Sequence, residues 1–326
     1  AVKSSYLAAE RTAAILPDPL VAQIDMSRLS EPLKALINAT HARPNTVPAP
    51  KTIAKTFERF ANDAKQQKVG LSAWLTASTA ATVTLNSPSS LLILYELANS
   101  SAHTSVTIPD AKRHSIYTAE LMREIGLKCI GLNGVPRTIN CLGEFHSGLP
   151  APVQRELAKR PARRKLDRHN VVATLDRGTA LWDSIYHPMT DKLTAKLAVS
   201  HPDLPVHIVE SEYGALFSDP TTSPPPGDAD AELRPDVGRV LMSIVAIATL
   251  RAQSGVGPQV LSHVFGLRKA FEDGTAHEQG QLPVEGGPWL ATDEGSVWLL
   301  EHVDRIVADI GGGEGSTFAS GPKAKL

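Results

Sequence analysis

Cysteine is nearly missing from this chain, with two in 326 residues. That scarcity excludes a disulfide scaffold. A C-x-x-C redox or zinc pair is excluded too, because Cys129 and Cys141 stand far apart on either side of a Gly-Val-Pro turn. The thiol content fits a reducing, intracellular compartment. The cytoplasm comes first and the mitochondrion second, since the stretch AVKSSYLAAERTAAILPDPL carries Lys3 and Arg11 but also Glu10. The same stretch has no apolar h-region and no small-residue cleavage pattern, so it does not read as a secretory signal. No apolar run approaches the roughly 20 residues that span a bilayer, so no membrane partner is expected. One-signed charge is lacking as well. A formal net charge of −1 offers no field for nucleic acid or an anionic membrane. The basic stretch KRPARRKLDRH, residues 159–169, is the exception, and its pattern predicts a solvated loop and helix start.

Several motifs are absent. There is no G-x-G-x-x-G after a strand, no G-x-x-x-x-G-K-[ST] and no G-x-S-x-G. Nucleotide cofactors and serine hydrolysis are therefore not expected. The histidines form neither H-x-x-x-H nor H-E-x-x-H, so no metal and no other cofactor is expected. Aromatic residues make up only 5%, and no long Val/Ile/Thr alternation appears, so sheet is not expected either.

What is present is helix. Alanine, leucine, lysine and glutamate are spread along the chain at helical spacing. KTIAKTFERFANDAKQQ places Ile53, Phe57 and Phe60 on one face. VGLSAWLTASTAATVTLNSP reads as an Ala/Thr helix and PSSLLILYELANSS as a short buried one. PDAKRHSIYTAELMREIGLKCIGLNG has a broad apolar face from Ile116 to Leu132, with Asn133-Gly134 predicted as a left-handed cap. Pro136 then opens a second helix at a first-turn position. His187-Pro188 and His201-Pro202 punctuate the next helices. TTSPPPGDADAELRPD predicts an exposed loop, taken over residues 219–236. VGRVLMSIVAIATLRAQSG is the most apolar helix and is predicted to be central. GPQVLSHVFGLRKAFEDG and TDEGSVWLLEHVDRIVADIGGG follow, and the end of the chain reads as a frayed tail. A soft duplication is visible: each half offers an apolar helix, a short Gly/Pro break and another helix. The organisation expected is two similar helical repeats, residues 1–150 and 151–326.

LMREIGLKCIGLNGVPRTINCLG resembles the helix–turn–helix of the AhpD-like/carboxymuconolactone decarboxylase superfamily. HPDLPVHIVESEYGALFSDP resembles that family's helix ending in Tyr-Gly, and the Arg234–Gly274 stretch resembles its S-H-containing segment. The resemblance covers roughly residues 91–274 and is strongest to uncharacterised two-repeat AhpD-like proteins of fungi. It implies an all-α AhpD-like bundle, a small-molecule ligand and a homo-oligomer. It departs from the peroxidase pattern, since no thiol pair stands in SSLLILYELANSSAHTS and the usual Glu is missing after Arg239.

Three kinds of chemistry follow. Cofactor-free acid–base work, as in decarboxylases and lactonases, would use His263, with Glu210, Glu212 or Tyr213 orienting it. Arg137 or Arg239 would hold an anionic group, and Trp182 and Tyr186, four apart, would wall an apolar pocket. The plain alternatives are a hydrogen-bonded core histidine, glutamates on a solvated face and aromatics in the core. A catalytically inactive binding or scaffold protein is the second function. The third is a residual thiol peroxidase through Cys129 and Cys141, although both lie in apolar patterns that predict inert, buried sulfur.

Overall fold

Two helices buried almost all round set the architecture of the computed structural model, which describes residues 29–100, 110–220, 235–278, 280–313 and 315–316. The chain divides between Asn45 and Thr46 into two compact units. The first contains α1 (Glu31–Ile37) with Pro32 in its first turn; it buries no residue and leaves Leu33, Leu36 and Ile37 exposed.

The second unit holds α2 (Ile53–Gln66), α3 (Leu71–Thr84), α4 (Pro88–Ala98), α5 (Ala111–Lys128), α6 (Ile130–Asn133), α7 (Val135–Gly148) and α8 (Ala151–Leu157). It continues with α9 (Val171–Tyr186), α10 (Thr190–Ser200) and α11 (Asp203–His207). The last of these runs on into a π-helical stretch, Ile208–Phe217. It ends with α12 (Gly238–Gln253), α13 (Gly257–Glu272), α14 (Gly287–Leu290) and α15 (Asp293–Ile310). The described residues are all-helical, without strand. No described helix is long and apolar enough to cross a membrane.

α3 and α12 pack on each other at the centre. α3 buries every residue from Ala73 to Thr84, and α12 buries all but Gly238 and Arg251. A helix buried on all sides has no polar stripe to face water. Three of the α3 hydroxyls turn back on their own helix. Thr76, Thr82 and Thr84 donate to the carbonyls of Ser72, Ser78 and Ala80 at 2.6, 2.7 and 2.7 Å. α2 and α15 close the same side, with Ile53, Phe57 and Phe60 fully buried as their spacing predicts.

Residues on both sides of position 150 contribute to the α3–α12 core, which lies within the second compact unit. The hairpin reads correctly from sequence in outline. Asp110 caps α5 by accepting from the Arg113 N–H at 2.8 Å, and Pro136 sits in the first turn of α7. The turn residue Gly134 is different. It has φ +88° and ψ 158°, an extended conformation open to glycine and not the left-handed cap expected. Thr292 caps α15 by accepting from the Gly295 N–H, and Gly274 ends the α13 segment at φ +82°. Most of the Pro-rich loop, residues 221–234, and the tail 317–326 lie outside the described residues.

Candidate functional site

Gly178 of α9 and Gly214 of the π-helical stretch bring two backbones into contact. A Cβ on Gly178 would stand 2.6 Å from Gly214 Cα and N and 2.7 Å from the Val209 carbonyl oxygen. No side chain fits there, so glycine is required by proximity. That crossing places the aromatics one turn away in register. Trp182 and Tyr186 pack with rings tilted by 41° and 4.1 Å between centroids, and Tyr213 meets the Trp182 ring edge-on at 5.0 Å. The Tyr186 and Tyr213 hydroxyls lie 3.3 Å apart, and Phe217 adds an edge-on contact to Tyr213 at 5.2 Å.

α13 brings His263 to this cluster. It is 6% exposed, with its ring 6.2 Å from that of Tyr186 and roughly perpendicular to it. Its Nδ1 is buried and has no hydrogen-bond partner among the described residues. Burial, and then the positive charge of Arg239, push its pKa down to about 4, so the imidazole is neutral at physiological pH.

Arg239, in the first turn of α12, is 4% exposed and ties three helices together. Its Nη1 donates to Ser243 Oγ at 2.6 Å, and its Nη2 donates to the Gly266 carbonyl at 2.7 Å and the Ser184 carbonyl at 3.2 Å. Its Nε has no partner among the described residues. No carboxylate stands within ion-pair distance among the described residues. Burial lowers its pKa to about 10, against the pull of Asp273 and the two tyrosines, and the guanidinium stays charged at neutral pH. Burial is also the first cause of the raised tyrosine pKa values, so both phenols are protonated donors. A hollow of about 390 Å3 opens beside Arg239, with Ser184, Phe217, Glu278 and Gln281 in its wall.

Of the residues singled out from sequence, Trp182, Tyr186, Tyr213, Arg239 and His263 come together. Glu210 and Glu212 do not reach His263. Glu210 is exposed and lines a different hollow with Trp182, while Glu212 faces His207 at 3.5 Å. The aromatic neighbour of His263 is instead Tyr186, at 6.2 Å between ring centroids. Arg137 is also elsewhere: it donates to the Thr84 carbonyl at 2.5 Å, closing the C-terminus of α3.

The hairpin sulfurs are packing groups in this arrangement. Cys129 lies 3.5 Å from Thr249 Oγ1, Cys141 faces the Val83 carbonyl at 3.8 Å, and both are fully buried. Burial pushes each thiol up to about 12, the reverse of what a peroxidatic cysteine needs.

The basic stretch is a largely exposed loop leading into α9, as expected, but three of its arginines turn toward acids. Arg164 forks onto Glu124, Arg160 lies 3.3 Å from Glu120, and Arg163 lies 2.7 Å from Asp236, all with arginine side chains under 20% exposed. This network runs on to Lys128, which is fully buried. Its Nζ meets Asp219 at 2.9 Å and Glu124 at 3.6 Å, and donates to the Phe217 carbonyl at 2.5 Å. Asp219 in turn accepts from the Gly238 N–H at 2.6 Å. The clamp fixes the end of the π-helical stretch and the start of α12, the two elements that carry Tyr213 and Arg239. Sequence reasoning missed this clamp. Lys128 stands at an apolar-face spacing within α5, which is the one signal it gave.

No protein-family model, no curated protein and no solved structure matches this chain.

Proposed function

We propose that this protein is a cofactor-independent acid–base enzyme, of decarboxylase, lactonase or isomerase type, acting on a small, partly apolar oxo-acid or aromatic-derived acid. The reading includes the two-repeat AhpD-like bundle and the homo-oligomeric assembly that the hairpin motifs imply. One observation carries it: among the described residues, a buried, neutral His263 with an unpartnered Nδ1 lies in the same cluster as a buried guanidinium without a counter-ion. A buried charge held only by neutral acceptors is costly, and a substrate carboxylate would relieve that cost.

The same carboxylate would tune the base. Arg239 is the second cause of the low His263 pKa, so an anion bound there raises it toward neutrality while burial still holds it down. The imidazole then takes a proton from the substrate, and the Tyr186 and Tyr213 hydroxyls donate to the oxygen that gains charge.

The test is turnover of a panel of small oxo-acids and lactones, followed by proton NMR. His263→Gln is expected to abolish turnover and Arg239→Met to raise KM for acids selectively. Unchanged turnover in His263→Gln removes His263 from the mechanism. A second reading, a non-catalytic binding protein on the same bundle, draws on the lack of any carboxylate partner for His263. It predicts that acids bind and raise the His263 pKa without being converted. The thiol peroxidase reading is left without support by two sulfurs that are both buried and protonated.

A further inference from the structure

The loop between α8 and α9 gathers cations around a small hollow that the acid–base reading does not use. Arg163, Arg164 and Lys165 enter its wall from the loop, and Arg177 enters from the second turn of α9. Asn170 and Thr174 at the start of α9, and Gly214 of the π-helical stretch, close it. No carboxylate stands in this wall among the described residues. The neighbouring hollows that share these arginines are mixed in charge. One holds Glu120 and Glu124 beside Arg163 and Arg164, and the other holds Asp219, Asp236 and Glu278 beside Arg177.

The acids that answer two of the cations stand outside the wall. Arg164 forks onto Glu124, and Arg163 donates to Asp236 at 2.7 Å. Asp167, in the same loop, is turned inward and accepts from the His169 and Asn170 N–H groups at 2.7 and 3.2 Å. The Lys165 ammonium has no partner among the described residues. The neutral polar groups of the wall are already engaged. The Thr174 and Ser218 hydroxyls and the Asn170 amide donate to the Asn170, Gly214 and Lys165 carbonyls at 2.9, 2.6 and 3.0 Å. Charged donors therefore dominate the hollow, and its field is positive.

Size narrows the ligand. The hollow measures about 40 Å3, far below the roughly 300 Å3 of an organic-ligand pocket. At about 10–15 Å3 for each water it has room for about three, which is the scale of one five-atom ion. Guanidinium edges match the oxygens of phosphate-like ions, and an ammonium adds a point charge.

We propose that this hollow binds a doubly charged tetrahedral oxyanion, inorganic phosphate or sulfate, among Arg163, Arg164, Lys165 and Arg177. The ion ties the loop before α9 to the π-helical stretch. The site shares no side chain with the acid–base reading, so either can fail without the other.

Calorimetric titration of the full chain with phosphate, with sulfate and with nitrate, at constant ionic strength and pH 7.5, tests it. Phosphate or sulfate is expected to bind saturably and at least about fivefold tighter than the singly charged nitrate, and the tighter of the two identifies the ion. Lys165→Glu reverses an exposed charge in the wall and is expected to weaken that ion by at least about tenfold. Arg155→Glu makes the same change at an exposed position of α8 outside the wall, and should leave affinity within about twofold. The proposal is overturned if neither dianion saturates by about 10 mM, where even a millimolar site fills, or if nitrate binds as tightly. It is equally overturned if Lys165→Glu leaves affinity unchanged, or if Arg155→Glu weakens it as much, since a diffuse surface field would then account for the binding.

Discussion

Replacing Lys128 with methionine removes a fully buried ammonium and keeps most of its volume. In the native protein that ammonium lies 2.9 Å from Asp219 and is hydrogen-bonded to the Phe217 carbonyl. Methionine leaves both without it, and breaking one side of a buried pair costs about 3–5 kcal/mol. Asp219 is 18% exposed, so water screens part of the loss and the lower end, about 3 kcal/mol, is the expected value. For a unit of this size that corresponds to roughly 6 °C in Tm.

The pH dependence adds a second signature. Burial pushes the Asp219 pKa up, but the Lys128 charge and the N–H groups of Gly238 and Val237 outweigh it, and the net pKa is lowered. A carboxylate with a depressed folded pKa stabilises the fold above its unfolded value, near 3.9, and that stability is lost as pH falls through the folded pKa. Without Lys128 this contribution shrinks. The difference between native and variant is therefore greatest at neutral pH and closes below about pH 4. Urea unfolding followed by tryptophan fluorescence at a series of pH values measures it. Asp219→Asn added to Lys128→Met should recover part of the loss, because the carboxylate left behind is then neutral. A loss under about 1 kcal/mol at pH 7, or a gap constant with pH, refutes the clamp as described.

Gly178→Ala drives a methyl into the Gly214 backbone, which cannot swing aside. A destabilisation of about 1–3 kcal/mol, toward the upper end, is expected in urea titration, together with changed near-UV dichroism from the Trp182–Tyr213 contact. His302 is stacked on Phe60 at 4.2 Å. Burial, and then the charges of Arg305 and Arg59, push its pKa down to about 3, so its 3.3 Å contact with Asp63 is not an ion pair at neutral pH. A histidine held neutral in the fold but protonated in the unfolded chain loses stability as pH falls from about 6.5 toward the folded value. His302→Phe should keep the stack, leave stability at pH 7.5 within about 1 kcal/mol and flatten its decline below pH 6.5; an unchanged acid slope would exclude His302 as a source of it. With thiol pKa values near 12, about one in 10⁵ of each cysteine is thiolate at pH 7. Iodoacetamide should thus label Cys129 and Cys141 only in denaturant, as mass spectrometry would record, and rapid labelling of the folded protein would contradict their burial.

The helices were legible because their signals are local. Apolar residues three and four apart, Asp110 and Thr292 at helix starts, Pro136 and Pro258 in first turns, and Gly274 after α13 act within one or two turns of chain. The centrality of α12 could be read as well, since a helix without a polar face has to be enclosed. The turn at Gly134 was placed correctly, but its conformation was not. A sequence reports that glycine is present and not which of its allowed conformations the packing selects.

Composition and spacing alone thus determined an all-helical chain without a thiol pair and placed Trp182 and Tyr186 on one face. Only tertiary structure decided which polar groups became special. It gave His263 a tyrosine neighbour where a glutamate was expected, turned Glu210 into another hollow, sent Arg137 to a helix end and paired three arginines of the basic stretch with acids. Those outcomes depend on residues tens to hundreds of positions apart, and on a Gly178–Gly214 crossing whose register no local pattern encodes. Charge and burial are properties of the three-dimensional neighbourhood, so the same side chain is a solvated base in one packing and a neutral core group in another.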